Sequence, residues 1–177
     1  MNLYILRHAS AGTRRKNPVV DVKRPLDKEG KQQCLLVGSY LSALNVQFDR
    51  VVSSPLKRAL QTAALVANET GYDSKIEASD ALTPEASVQK FQALVHSLEK
   101  YDNVLVVGHN PNIPIFLASL IVPAGRINLR MRKGAIARVD CTRLPGILHW
   151  LVDPRILRGG YSYSKAAKRS RPKTSRK

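Results

Sequence analysis

Four side chains suited to phosphate chemistry stand at three places in this 177-residue chain: Arg7 and His8 in "LRHAS", Arg58 in "SSPLKRALQTA", and His109 in "VVGHNP". A guanidinium matches phosphate oxygens in bidentate fashion, and a neutral imidazole nitrogen is a nucleophile near neutral pH. Two arginines and a second histidine stabilise the charge of a transferring phosphoryl group without a metal. Taken alone, His8 reads as a structural residue; its agreement with Arg58 and His109 points to phosphoryl transfer through His8. A metal centre fits these residues poorly, because the two histidines have no carboxylate at ligand spacing and the arginines would repel a cation.

Such residues act together only if the fold brings three distant segments to one place. Strand-length apolar runs alternate with helix-length periodic segments, the pattern of an α/β layered fold. Residues 2–7 read as a strand, followed by a basic loop to Pro25. Asp27 then caps a helix with Val37, Leu41 and Leu44 on its stripe, ending near Asn45. Phe48 to Ser53 reads as a second strand and Ser54-Pro55 as a helix start, with Leu56, Leu60, Ala63 and Ala67 buried and Arg58 off that stripe. A short strand is expected near 75–78, a helix over 86–100, and a buried strand at 104–107. Asn110 is expected to cap a helix with Pro111 and Pro114 in its first turn. Residues 135–140 and 147–152 read as two antiparallel strands at the sheet edge. Open α/β sheets bind ligands at the carboxyl ends of their strands, where His8 and His109 fall and where the helix after a third strand begins near Arg58.

The length suits one compact domain with an appendage. Charge is the unusual feature, with 29 Lys and Arg against 13 Asp and Glu, a net +16. Residues 151–177 hold nine basic side chains and one acid, while residues 1–150 hold twenty and twelve. Each segment therefore carries +8, and the last is much the denser. Two cysteines, Cys34 and Cys141, lack metal or disulfide spacing, so a reducing cytoplasmic interior fits. No signal-like N-terminus or membrane-length apolar run is present, which argues against export and membrane spanning.

The three motifs, in this order and spacing, resemble the histidine phosphatase superfamily. The likeness extends to "KRPLDKEG" at 23–30 and "LHWLVDP" at 148–154, covering roughly the first 155 residues. It implies a phosphoglycerate mutase-like fold, a three-layer α/β/α sandwich with a mainly parallel central sheet. The short length and the "RPLDKEG" element are most similar to SixA-type phosphohistidine phosphatases. By this resemblance His8 would be the phosphorylated nucleophile, Arg7, Arg58 and His109 would hold phosphoryl oxygens, and Arg24 would border the pocket. No cofactor and no metal are implied. Glu85 in "LTPEAS" falls where mutase-type members carry a general acid, with Asp80 as its rival. Many members have glycine after the histidine; Ala9 here requires a backbone that an ordinary residue can adopt.

The expected domain is 1–155, with 156–177 a basic, disordered tail. The expected function is removal of a phosphoryl group through a phosphohistidine intermediate, from phosphohistidine on a signalling or phosphotransfer protein. One alternative is hydrolysis of small phosphorylated metabolites or sugars. Another is a non-catalytic protein that binds nucleic acid or a partner through its basic surface. Arg14, Arg15 and Lys16 read equally as solvated charges or as attractors of an anionic substrate. The tail reads as solvated chain or as an arm for nucleic acid or another anionic partner. His96 and His149 read as structural or surface residues, and Trp150 as packed on the sheet.

Overall fold

The computed structural model describes residues 1–122 and 127–159. In chain order the elements are β1 (Asn2–Arg7), α1 (Pro18–Val22), α2 (Lys28–Ala43), β2 (Arg50–Ser53), α3 (Lys57–Glu69), β3 (Glu77–Ala78), α4 (Val88–Ser97), β4 (Asn103–Gly108), α5 (Asn112–Ile121), β5 (Ile136–Asp140) and β6 (Ile147–Val152). A single 3-10 turn, Asp80–Leu82, lies between β3 and α4.

Successive strand side chains leave opposite faces, and in the central strands both sets are apolar. Leu3, Ile5, Val104 and Val106 enter one core cluster, while Tyr4, Leu6, Leu105 and Val107 enter the other. Both faces must therefore be covered. Phe91 and Val95 of α4 with Ile113, Phe116 and Leu117 of α5 close the first. Cys34, Val37 and Leu41 of α2 with Ala59, Ala63 and Val66 of α3 close the second. The result is the expected three-layer α/β/α sandwich. Among the described residues, six strands run in the order β3-β2-β4-β1-β5-β6. The first four are parallel, and β5 and β6 are antiparallel to their neighbours, as the edge pair was expected to be.

Several local expectations shift. A short helix, α1, interrupts the expected loop, with the Asn17 side chain accepting from Val19 N–H and Pro18 at its start. Asp27 caps α2 through Gly30 N–H, as expected, but Leu44 is exposed because the helix has already ended at Ala43. Ser54 does not cap α3, which starts at Lys57 without a side-chain cap. Its buried face is Arg58, Ala59, Thr62, Ala63, Val66 and Ala67, so Arg58 lies on the buried side rather than off it. Small residues there let α3 close on the sheet and on α2, where a Cβ on Gly38 would come within 2.4 Å of Glu69 Cβ. Nor does Asn110 cap α5, because its side-chain amide instead donates to the Met131 carbonyl at 3.3 Å.

The boundary expected at 155 falls within a short helix over 154–159, and residues 160–177 lie outside the described residues. Trp150 packs edge-on against Tyr4 and Tyr40, while His96 and His149 are exposed. Cys34 and Cys141 are free thiols. No helix among the described residues is long and apolar enough to cross a membrane.

Candidate active site

Strand register assembles the site. Arg7 pairs with Gly108 and Ser53 with Val107, so His8, His109 and Ser54 each stand one residue beyond a paired position. The His8 amide donates to the Gly108 carbonyl and the Ser54 amide to the Val107 carbonyl, extending the ladder to these residues. From here α2 follows β1 on one face and α5 follows β4 on the other, which opens a crevice at adjacent strand ends. Gly108 permits the approach, since a Cβ there would meet Ile113 at 2.8 Å and the Leu82 carbonyl at 3.1 Å.

The His8 and His109 rings lie 4.9 Å apart between centroids, tilted by 54°. Both are buried, with 7% and 2% exposure. His8 Nδ1 is 2.7 Å from the Ala9 carbonyl, which can only accept, so Nδ1 carries the proton and Nε2 keeps its lone pair. Burial pushes His8 down to about 3, opposed by the Ala9 contact and reinforced by Arg58, Arg7 and Arg24. Burial likewise lowers His109 to about 2, with His8 and the same arginines adding to the effect. Both rings are therefore neutral near pH 7. His109 Nε2 lies 2.8 Å from Ser54 Oγ, and its Nδ1 is buried with no partner among the described residues. Ala9 does not have positive φ, so its side chain costs the backbone nothing.

Among the described residues, only one terminal nitrogen of each main guanidinium is engaged. Arg7 Nη1 donates to the Met131 carbonyl at 2.8 Å. Arg58 Nη1 donates to the Asp21 carbonyl at 3.0 Å and reaches its carboxylate at 3.4 Å. Both Nε atoms are buried without partners among the described residues. Asp21 also holds Arg24 Nε at 2.8 Å and accepts from the Arg15 amide, so one carboxylate on α1 braces two arginines. Those contacts hold the Asp21 carboxyl below its usual range despite the opposing cost of burial. Arg24 Nη1 donates to the Ala11 and Gly12 carbonyls and pins the loop that follows His8.

The same loop is clamped by "DKEG". Asp27 accepts from Ser10 Oγ and the Gly12 amide, both at 2.7 Å. A Cβ on Gly30 would lie 1.9 Å from the Ser10 carbonyl oxygen, so only glycine lets the start of α2 abut this backbone. From α3, Thr62 accepts from the Ala9 amide and donates to the Arg58 carbonyl.

A cavity of about 450 Å³ opens over these groups, lined by Arg7, His8, Arg24, Arg58, Glu85 and His109. All six residues expected at a site thus meet. Arg14, Arg15, Lys16 and Lys133 line it too, making it strongly cationic. Asp80 is exposed and is absent from the lining. The loop bearing Glu85 is tied down by Asn112, whose side-chain amide lies 3.2, 2.7 and 2.9 Å from the carbonyls of Thr83, Pro84 and Ala86. Sequence reasoning missed Ser54, Asp21, Lys133 and this role of Asn112. Ser54 sits inside a quoted motif and Asn112 directly follows one, which was the one signal available; Asp21 and Lys133 carried none.

The family model for the histidine phosphatase superfamily, branch 1, matches residues 3–94. An uncharacterized protein of Picosynechococcus sp. is 30% identical over 139 residues, spanning 77% of this chain and 82% of its own length. Phosphohistidine phosphatase SixA of Escherichia coli is 29% identical over 157 residues, spanning 87% of this chain and 94% of the relative. The structure of the protein histidine phosphatase SixA complexed with tungstate aligns with TM-score 0.80 at 29% identity, over 89% of this chain and 99% of that one. Phosphoglycerate mutase from Bacillus anthracis shares the fold, with TM-score 0.68 at 16% identity over 91% of this chain and 96% of its own.

Proposed function

Because the chain belongs to the histidine phosphatase superfamily, we propose that it hydrolyses phosphohistidine on a phosphotransfer or signalling protein through a covalent intermediate on His8. The observation that carries this reading is a buried, neutral His8 with its tautomer pinned by Ala9, beside two arginines that the protein engages only in part. The likeness to SixA along nearly the whole relative supports the substrate class.

In this reading His8 Nε2 attacks phosphorus in line while the substrate's P–N bond breaks. The leaving imidazole departs neutral when its other nitrogen carries a proton. Arg7 and Arg58 hold the phosphoryl oxygens through their remaining donors, and Arg24 adds charge at the border. Ser54 donating to His109 Nε2 would leave a proton on Nδ1, giving the phosphoryl group a neutral donor as well. Charge stabilisation and positioning of this kind supply most of the barrier reduction in phosphoryl transfer. Water then attacks the phosphorus of phospho-His8, its proton passes to a phosphoryl oxygen, and phosphate leaves with His8 restored; Glu85 would serve as the acid for a leaving group poorer than imidazole. An imidazole leaving group, with a conjugate acid of pKa about 6.5, needs little help from an acid. Two free thiols suit a reducing, cytoplasmic location.

Incubation with a phosphohistidine-carrying protein should release phosphate with the wild type and not with His8→Ala. An acid-labile phosphoenzyme should form transiently only in the former. Equal release by both proteins would overturn the mechanism. A wild type active only on small phosphomonoesters would overturn the substrate.

A further inference from the structure

A second cavity, of about 490 Å³, adjoins the first and shares Arg7, Asn110 and Lys133 with it. Its own wall includes Arg130, Arg132 and Arg155, against Glu29 and Asp153. Asp153 is already shared, at 2.8 Å from Arg155 and 3.5 Å from Arg132, and Glu29 lies 4.0 Å from Arg158. Arg130 is exposed and makes no ion pair among the described residues.

The placement of charge is selective. Within residues 1–150, nine cationic and three acidic residues line the two cavities. Six of the eight net positive charges of that segment therefore face one continuous surface. Holding one phosphoryl group does not require Arg130 or Arg132, which lie outside the first cavity. A surface that extends its positive charge beyond the reacting group suits a ligand that carries further negative charge beyond its phosphate.

We propose that the second cavity, with Arg130 and Arg132 at its wall, is a docking surface for acidic side chains that flank the phosphohistidine of a protein substrate. The proposal rests on the phosphohistidine reading of the first cavity and adds the sequence context that the enzyme prefers. Acidic flanks would be steered to this face and held beside Lys133, at the junction of the two cavities. The preference would weaken as salt screens exposed charges beyond about 8 Å at physiological ionic strength.

The test uses two phosphohistidine peptides that differ only in carrying four glutamates or four glutamines around the phosphorylated residue. With the full chain at low salt, kcat/KM for the glutamate peptide should exceed that for the glutamine peptide by about tenfold. The advantage should vanish at 0.5 M salt, and also in Arg130→Glu and Arg130→Glu/Arg132→Gln. Both variants should keep the wild-type rate on the glutamine peptide, which also reports that they are folded. Equal rates of the wild type on the two peptides, or a glutamate preference that survives in both variants, would overturn the docking surface. So would a single-stranded RNA that binds this face more tightly than the glutamate peptide, with the binding lost in Arg130→Glu. Hydrolysis of neither peptide by the wild type would overturn the phosphohistidine reading itself, and the docking surface with it.

Discussion

Stability should fall steeply with acid well above the carboxylate range, because two buried histidines must stay neutral in the folded chain. Burial lowers His8 to about 3 and His109 to about 2, against about 6.5 in an unfolded chain. Between pH 6.5 and 4.5 the unfolded chain binds a proton at each site and the folded chain does not. Their stabilising contribution is thus fully present above pH 6.5 and is lost as pH falls. Once the unfolded histidine is protonated, each contributes a slope approaching about 1.4 kcal/mol per pH unit. Summed over both groups, the fall from pH 6.5 to 4.5 is about 4–5 kcal/mol, a large part of the roughly 5–15 kcal/mol of a typical domain. Asp21, Asp27 and Asp153, whose carboxyls are held below their ordinary range, lose their contribution only at lower pH. Urea unfolding at pH 6.5, 5.5 and 4.5 measures the loss directly. His8→Gln and His109→Gln should each remove about half of it, and the double variant nearly all. A wild-type stability that stays constant across this window, or single variants that keep the full loss, would refute the assignment of two neutral buried imidazoles.

Glu85→Gln should slow hydrolysis of an alkyl phosphomonoester such as glycerol phosphate by about 10²-fold or more, but that of a phosphohistidine peptide by less than about tenfold; equal losses on the two substrates would contradict the leaving-group reasoning. Asp21→Ala strands the two partly buried arginines that it braces and should cost about 3 kcal/mol, lowering Tm by roughly 6–12 °C in a scanning experiment. Inorganic phosphate should recover part of that loss, and an unchanged Tm would refute the brace. Gly30→Ala improves helix propensity by about 1 kcal/mol yet should destabilise the protein in urea, because its Cβ meets the Ser10 carbonyl oxygen at 1.9 Å. Ser54→Ala should lower kcat on the phosphohistidine peptide while leaving the unfolding free energy in urea within about 1 kcal/mol, since it removes the hydrogen bond to His109 and a long one from the Leu56 amide; an unaltered kcat would show that Ser54 does not orient the ring.

The layers were legible because they follow from periodicity. The run 104–107 and the apolar part of 2–7 had no polar side to expose, which required a strand covered on both faces. The three motifs identified His8, Arg7, Arg58 and His109, and the resemblance they carry added Arg24 and Glu85. Each of these residues lines the cavity. Periodicity misled at α3, where Leu56 and Leu60 at helical spacing suggested the buried stripe. The helix instead presents its small residues inward, bringing Arg58 with them, because close approach to the sheet and to α2 favours small side chains. A serine before proline reads as a cap because it satisfies free amides locally, but Ser54 Oγ accepts only a long 3.4 Å bond from the Leu56 amide and makes its shorter contact, 2.8 Å, with His109, which lies 55 residues away.

By itself, then, the sequence determined which side chains could do phosphate chemistry and which faces had to be buried, since residue type and local spacing settle both. Only the tertiary structure decided that both imidazoles are neutral, that Asp21 braces two arginines, and that Lys133 and Arg130 extend the positive surface past the reacting group. Those properties depend on water being excluded and on partners that strand register and loop closure bring together across long stretches of chain. No local pattern of residues encodes them.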